Sequence, residues 1–309
     1  VHILNSLLPV FLMIALGAVL KQSGFMSREM IKGGNALAYW VGLPCMLFLE
    51  IAKGRVSVGP HLDAFLTMGI GVGSGVALAY LAAWLLRAGK KSTGSFVQAC
   101  FRSNAAYIGL SILLFSVSAD EVEHTLALGA LMLAFIVPLY NVTAVVVLAA
   151  GREPFNRKTM GVMTRQILTN PLIIASVLGG LYAICFDSMP KPLDRTLEGL
   201  GRMALPLALL GVGASLNLQK LRGNARLVGF AALIRLALVP LVAYAASRLL
   251  GLDQAETRVV LIFMACPTAA ASYVLADQMG GDGELAAGIV ALTTLLSFFS
   301  LSAAVWVTM

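Results

Sequence analysis

Charge is what this chain has least of. Only 12% of its residues are Asp, Glu, Lys or Arg, against 59% hydrophobic ones, whereas a soluble domain carries about 25% charge. That shortage argues against a soluble enzyme and points to a membrane protein. Histidine is scarce too: His2, His61 and His124 are the full set, and each falls near the end of an apolar run or in a loop. There is no H-E-x-x-H and no pair of carboxylates at depth, so hydrolytic and metal chemistry lack their parts. No enzyme activity and no bound cofactor is expected. The four cysteines, Cys45, Cys100, Cys185 and Cys266, form no C-x-x-C pair and lie inside apolar segments, as small buried hydrophobes do. A net charge of +7 does not imply nucleic acid, because the basic residues are scattered over short loops. Anionic headgroups of a lipid bilayer are the expected partner.

Hydrophobic runs fill the rest. A hydrocarbon core about 30 Å thick needs roughly 20 apolar residues as helix. Runs of that size lie at about 3–21, 30–52, 62–86, 95–117, 124–150, 166–186, 196–217, 225–250, 256–279 and 284–308. The expected fold is an all-α membrane protein of ten transmembrane helices. Lys and Arg then set its direction. Thirteen of them (Lys21, Arg28 and Lys32; Arg87, Lys90 and Lys91; Arg152, Arg157, Lys158 and Arg165; Lys220, Arg222 and Arg226) follow odd-numbered spans. Seven lie on the other side: Lys53, Arg55, Lys191, Arg195, Arg202, Arg248 and Arg258. The odd loops are therefore expected in the cytoplasm and both termini outside, in a multi-pass protein of the plasma (inner) membrane. Glu50, close to a membrane boundary, is expected to be solvated.

The two halves repeat. Pro9, Gly17, Pro44 and Gly89 recur as Pro171, Gly179, Pro206 and Gly251, each 162 positions on. Residues 1–150 and 165–309 thus form two five-helix repeats joined by a cytoplasmic linker, 151–164. Five spans per copy make the second copy enter the membrane inverted, an arrangement of secondary transporters that places substrate between the copies. The recurrence also marks the first segment as part of the fold rather than a targeting peptide.

Two spans carry interruptions. Span 4 reads GSFVQACFRSNAAYIGLSILLF and holds Arg102, Ser103, Asn104 and Ala105 at its centre. Charged and amide groups are costly at that depth and mark cavities or partners. Span 9 reads RVVLIFMACPTAAASYVLADQMGG, with Cys266, Pro267 and Thr268 at its centre, and proline interrupts a helix. The offset of 162 sets Asn104 against Cys266 and Ala105 against Pro267. Paired broken helices are the sequence signature of a transporter site. Each break exposes N–H groups at the start of a new half-helix, a natural seat for a carboxylate. Asn104 would add an amide and Thr268 a hydroxyl. Tyr140 and Asn141 of span 5 line the same cavity or serve helix packing. Arg102 binds substrate, pairs with an acid or snorkels to the surface, and Arg235 pairs inside the bundle or reaches headgroups. Asp277 and Arg102 are the candidates for ion coupling, by Na+ or H+. Pro44, Pro138, Pro206 and Pro240 are read as kinks. Gly71–Gly75 is a G-x-x-x-G that need not mark a dimer face.

The stretches LLPVFLMIALGAVLKQSGFMS (7–27), VGLPCMLFLEIA (41–52), NPLIIASVLGGL (170–181), MALPLALLGVGASL (203–216) and ASYVLADQMGGDGELAAGIVALTTLLS (271–297) resemble the auxin efflux carrier family. The likeness covers all ten spans. It implies a scaffold of spans 1, 2, 6 and 7, a transport domain of spans 3–5 and 8–10, and unwound spans 4 and 9 that cross at the site. It implies a homodimer, elevator-like alternating access, and small organic anions such as indole acids, malonate or malate as substrate. Asn104 matches the asparagine that the family places near the carboxylate, and Tyr140 an aromatic of the span-5 wall. One departure stands out: the family pattern N-x-G-F-I-G-L-P is here NAAYIGLSI, with Ser111 at the proline position. The rival is a sodium-coupled organic anion symporter of the bile-acid transporter type, which needs cation ligands near the crossing.

Overall fold

The computed structural model describes residues 2–54, 59–118, 120–150, 161, 165, 168–186, 188–216 and 224–309. Nearly all of the expected linker, and Arg55, Arg152, Arg157, Lys158, Lys220 and Arg222 with it, lie outside them. Among the described residues every regular element is helical. In chain order the helices are α1 (His2–Gln22), α2 (Arg28–Leu37), α3 (Leu43–Gly54), α4 (Leu62–Leu85), α5 (Lys90–Phe101), α6 (Leu110–Ser116), α7 (Val122–Ala149) and α8 (Pro171–Cys185). There follow α9 (Lys191–Arg202), α10 (Ala204–Ser215), α11 (Ala225–Leu233), α12 (Val239–Leu249), α13 (Gln254–Ala265), α14 (Ala271–Gln278) and α15 (Gly283–Val307).

Among the described residues seven helical stretches, against the ten expected, are long and apolar enough to cross a membrane unbroken: Ile3–Gln22, Arg28–Lys53, Gly59–Leu85, Val122–Ala149, Lys191–Ser215, Ala225–Leu249 and Gly283–Val307. They agree with seven of the expected runs. The other three are shorter for stated reasons. Run 95–117 is cut between α5 and a helix resuming at Ala105, and run 256–279 between α13 and α14. In run 166–186 helix α8 begins at Pro171, where the Asn170 side chain accepts from Leu172 N at 2.9 Å and proline takes the first helical position, whose N–H is unbonded anyway.

None of the four prolines read as kinks ends its span: Pro44, Pro138, Pro206 and Pro240 all lie inside continuous helical stretches. Pro44 and Pro240 each follow a five-residue π-helical stretch, Ala38–Gly42 and Ile234–Leu238. Proline frees the carbonyl four residues back. In both cases that carbonyl belongs to the wider turn, which absorbs the change inside a continuous span. Pro206 sits in the first turn of α10, and Pro138 lies inside an unbroken α7.

The chain divides into two compact units. The first comprises Val1–Pro60, Ala106–Phe135 and Gln166–Ser215, and the second His61–Ala105, Ile136–Arg165 and Leu216–Met309. In the first, α1 lies on α10 and α3 on α8. Glycine permits both contacts. A Cβ at Gly17 would overlap the Leu210 backbone, and one at Gly179 would come within 2.8 Å of the Phe48 carbonyl. Leu210 follows Phe48 by the same 162 residues that separate Gly179 from Gly17. A Cβ at Gly42 would come within 2.9 Å of that of Ala204, again 162 residues on. In the second unit, Gly71 faces Met264 and Ala243, and Gly75 faces Phe101 and Val239. The G-x-x-x-G is thus spent on contacts within the chain.

Candidate functional site

The second unit is organised around two helix breaks that meet. Helix α5 ends at Arg102, which adopts an extended backbone (φ −83°, ψ 100°), and α13 ends at Cys266 (φ −61°, ψ 150°). The second break has a local cause, since Pro267 disfavours helical backbone in the residue before it. The first has no proline. What holds it open is the other segment: Asn104 N donates to Pro267 O at 2.8 Å, Ala269 N donates to Arg102 O at 2.9 Å, and Ser103 pairs with Thr268 as an antiparallel bridge. These bonds satisfy backbone groups that would otherwise be orphaned at membrane depth, where each costs several kcal/mol.

The bonding also sets the register of the crossing. The partners Asn104–Pro267 and Ala269–Arg102 exchange under an offset of 165, with Ser103 and Thr268 facing each other. The expected alignment of Asn104 with Cys266 and Ala105 with Pro267 is therefore shifted by three residues. Irregular backbone absorbs the difference, so an offset set by the flanking helices does not carry through.

Most side chains here are committed to one another. Ser103 Oγ and Tyr140 Oη lie 2.8 Å apart. Arg102 Nη2 donates to Asn141 Oδ1 at 2.8 Å. Thr268 Oγ1 donates to Ala99 O at 2.7 Å, and Thr268 N donates to Thr293 Oγ1 at 3.1 Å. Cys266 and Pro267 are buried, as is Ala105, the first residue of the resumed helix. Asn104 differs. It is only 6% exposed, its backbone is paired, and its carboxamide has no hydrogen-bond partner among the described residues.

Arg235 is the residue whose role here was not foreseen. It is fully buried, and it donates to Phe101 O at 2.6 Å and to Met264 O. Those are the closing carbonyls of α5 and α13. A cation at two helix C-termini answers their partial negative charge and their unbonded acceptors. The titratable groups around it are Tyr140, Cys266 and Cys100, and no carboxylate pairs with it among the described residues. What remains uncompensated is the partial positive charge where helices resume at Ala105 and Ala271. An arginine inside an apolar stretch was the visible signal, but its two partners were not readable from sequence. Thr293 was missed for a similar reason, as one hydroxyl in a long apolar run.

The structure gathers Arg102, Ser103, Asn104, Ala105, Tyr140, Asn141, Cys266, Pro267 and Thr268. It does not gather Asp277, which is exposed near the end of α14, about 10 Å along the helix from its start at 1.5 Å per residue.

Comparison with known proteins gives the family. The family model "Membrane transport protein" matches residues 2–150 and 141–307. The chain belongs to that family, the auxin efflux carriers. The "Putative malonate transporter" of Rhizobium meliloti is 25% identical over 301 residues, spanning 96% of this chain and 92% of the relative. An uncharacterized transporter of Methanocaldococcus jannaschii is 21% identical, with 98% of each chain covered. Another, of Methanothermobacter thermautotrophicus, is 23% identical and covers 96% of this chain and 95% of its own length. The chain is a multi-pass membrane protein of a transporter family.

Proposed function

We propose that this family member is a secondary carrier of small organic carboxylates, working by alternating access. The observation that carries the reading is the Asn104 carboxamide, nearly buried and without a partner among the described residues, beside Ser103, Tyr140 and Thr268, whose side chains are engaged; the buried Gln98 carboxamide of α5 and the Ser272 hydroxyl of α14 are unpartnered there as well. With 6% of its surface exposed, the Asn104 amide can donate to an arriving carboxylate, and hydrogen bonds to a charged group contribute about 1.5–3 kcal/mol. The electrostatics favour the same class. Arg235 already answers the helix C-termini, so the helix N-termini and Arg102 leave the crossing positive. Malonate is the natural first probe, given the name of one relative.

The wider architecture follows the same reading. Ten spans form two inverted five-helix repeats, with spans 1, 2, 6 and 7 as scaffold and the remainder as transport domain. The glycine contacts related by 162 residues support this arrangement. An elevator-like movement, a homodimer, a plasma-membrane location and outside termini belong to it as well. The sodium-coupled alternative loses its best cation ligand with Asp277 exposed and away from the crossing. Uptake of labelled malonate and of other mono- and dicarboxylates into proteoliposomes, with sodium or choline outside, tests the proposal. Saturable, sodium-independent uptake by the wild type is expected. No uptake above protein-free liposomes for any carboxylate would refute it.

A further inference from the structure

The first unit contains a cavity of about 410 Å³, room for roughly a dozen waters at 30 Å³ each. Its wall is hydrocarbon from six helices, including Met13, Met46, Phe115 and Leu126, with three charged exceptions: Glu50, Glu198 and Arg202. Glu198 and Arg202 form an ion pair at 2.5 Å. Glu50 is half-buried rather than solvated, and it has no hydrogen-bond or ion-pair partner among the described residues. The nearest basic group on its own helix, Lys53, is held by Asp194 of α9 at 2.6 Å.

The remaining charges around Glu50 do not compensate it. Helix α7 brings Glu123, a second acid. Helix α8, packed on α3, brings Tyr182 and Cys185. Helices α1, α6 and α10 line the cavity with uncharged residues such as Leu114, Leu205 and Pro206. The site therefore holds one lone carboxylate against an apolar wall. A metal or sodium ion needs a shell of several oxygens, and the other carboxylate on the described wall, Glu198, is already engaged with Arg202. A proton needs no further ligand.

We propose that Glu50 is the proton-binding group of this carrier, an inference that rests on the transporter reading above. The carboxylate takes a proton from the water of the cavity, becoming a neutral acid, and later returns that proton to water as the carboxylate reforms. Helix α7 supplies Val122 and Leu126 to the cavity wall. Any movement that collapses the cavity wraps Glu50 in hydrocarbon. A bare carboxylate opposes this and a neutral acid permits it. Protonation is thereby tied to closure.

The test uses the purified full chain in two assays. First, infrared difference spectra across a pH titration report carboxyl protonation without any substrate. Wild type is expected to show a titrating carboxylic-acid band that Glu50→Gln lacks and Glu50→Asp retains. Second, labelled malonate uptake is measured in proteoliposomes with an interior one pH unit more alkaline. One coupled proton then drives about tenfold accumulation. Glu50→Gln is expected to lose that accumulation while keeping malonate exchange at equal pH within about twofold of wild type, as a mimic of the neutral acid. Glu50→Asp is expected to keep the accumulation. An unchanged band in Glu50→Gln, retained proton-driven accumulation, or identical behaviour of the two variants would overturn the proposal. If the wild-type band is assigned to Glu50 but no carboxylate moves under either condition, the proton site stands and the carboxylate reading falls.

Discussion

The two breaks at the crossing reach the same geometry by different means. Between α13 and α14 the sequence itself stops the helix, because Pro267 forces Cys266 into extended backbone. Between α5 and Ala105 nothing local does so. Arg102, Ser103 and Asn104 are all compatible with helix, and they leave it because the opposite segment offers Asn104 N and Arg102 O their partners. One break is encoded where it occurs and the other is induced by it. The induced break is also where the functional groups are concentrated. A segment free of proline can carry an amide, a hydroxyl and a guanidinium at successive positions. The proline segment, for its part, provides the fixed edge against which they are held.

The comparison can be attacked at three strengths. The largest effect is expected from Arg235, which serves both breaks at once. Arg235→Leu strands the carbonyls of Phe101 and Met264. Hydrogen bonds to a charged group contribute about 1.5–3 kcal/mol each, so thermal unfolding in detergent should show a loss of roughly twice that. A variant as stable as wild type would mean that the breaks hold without it. The next effect concerns the induced break alone. A double-mutant cycle of Ser103→Ala and Tyr140→Phe should give a coupling of about 0.5–1.5 kcal/mol in unfolding free energy. Strict additivity would show that the 2.8 Å contact does not support the extended segment. The smallest effect distinguishes the causes. Pro267→Ala removes the local stop but leaves the Asn104–Pro267 and Ala269–Arg102 bonds available, since both use backbone atoms. The span should stay broken, with stability changed by less than about 1 kcal/mol. Hydrogen exchange showing a continuous protected helix through residues 262–272 would place the stop in proline alone.

Legibility in the sequence followed the same division. Spans whose apolar runs are uninterrupted emerged with bounds close to those of α1, α4, α7 and α15, because length and composition suffice for a membrane helix. The break at Pro267 was visible since proline acts locally. The polar stretch 102–104 was visible as an anomaly, but its extended backbone was not, because its partners lie more than 160 residues away. The offset of 162 located the crossing and misaligned it by three residues, for offsets measured between glycines and prolines of regular helices do not survive irregular backbone. Of the candidate site residues, sequence could not separate those bonded to each other from the one left open. Ser103, Tyr140, Arg102, Asn141 and Thr268 have partners, which only coordinates reveal. Arg235 and Glu50 were understood least. Each is an ionisable residue inside an apolar span, and one ends against two backbone carbonyls while the other faces a cavity.

The central claim is that the open carboxamide of Asn104 receives the substrate's carboxylate. Calorimetric titration of malonate into purified wild type and Asn104→Ala, with unfolding temperatures measured alongside, tests it most directly. Loss of one hydrogen bond to a charged group, about 1.5–3 kcal/mol, predicts affinity weakened by roughly 10- to 150-fold with the unfolding temperature essentially unchanged. Malonate bound by Asn104→Ala as tightly as by wild type would contradict the account.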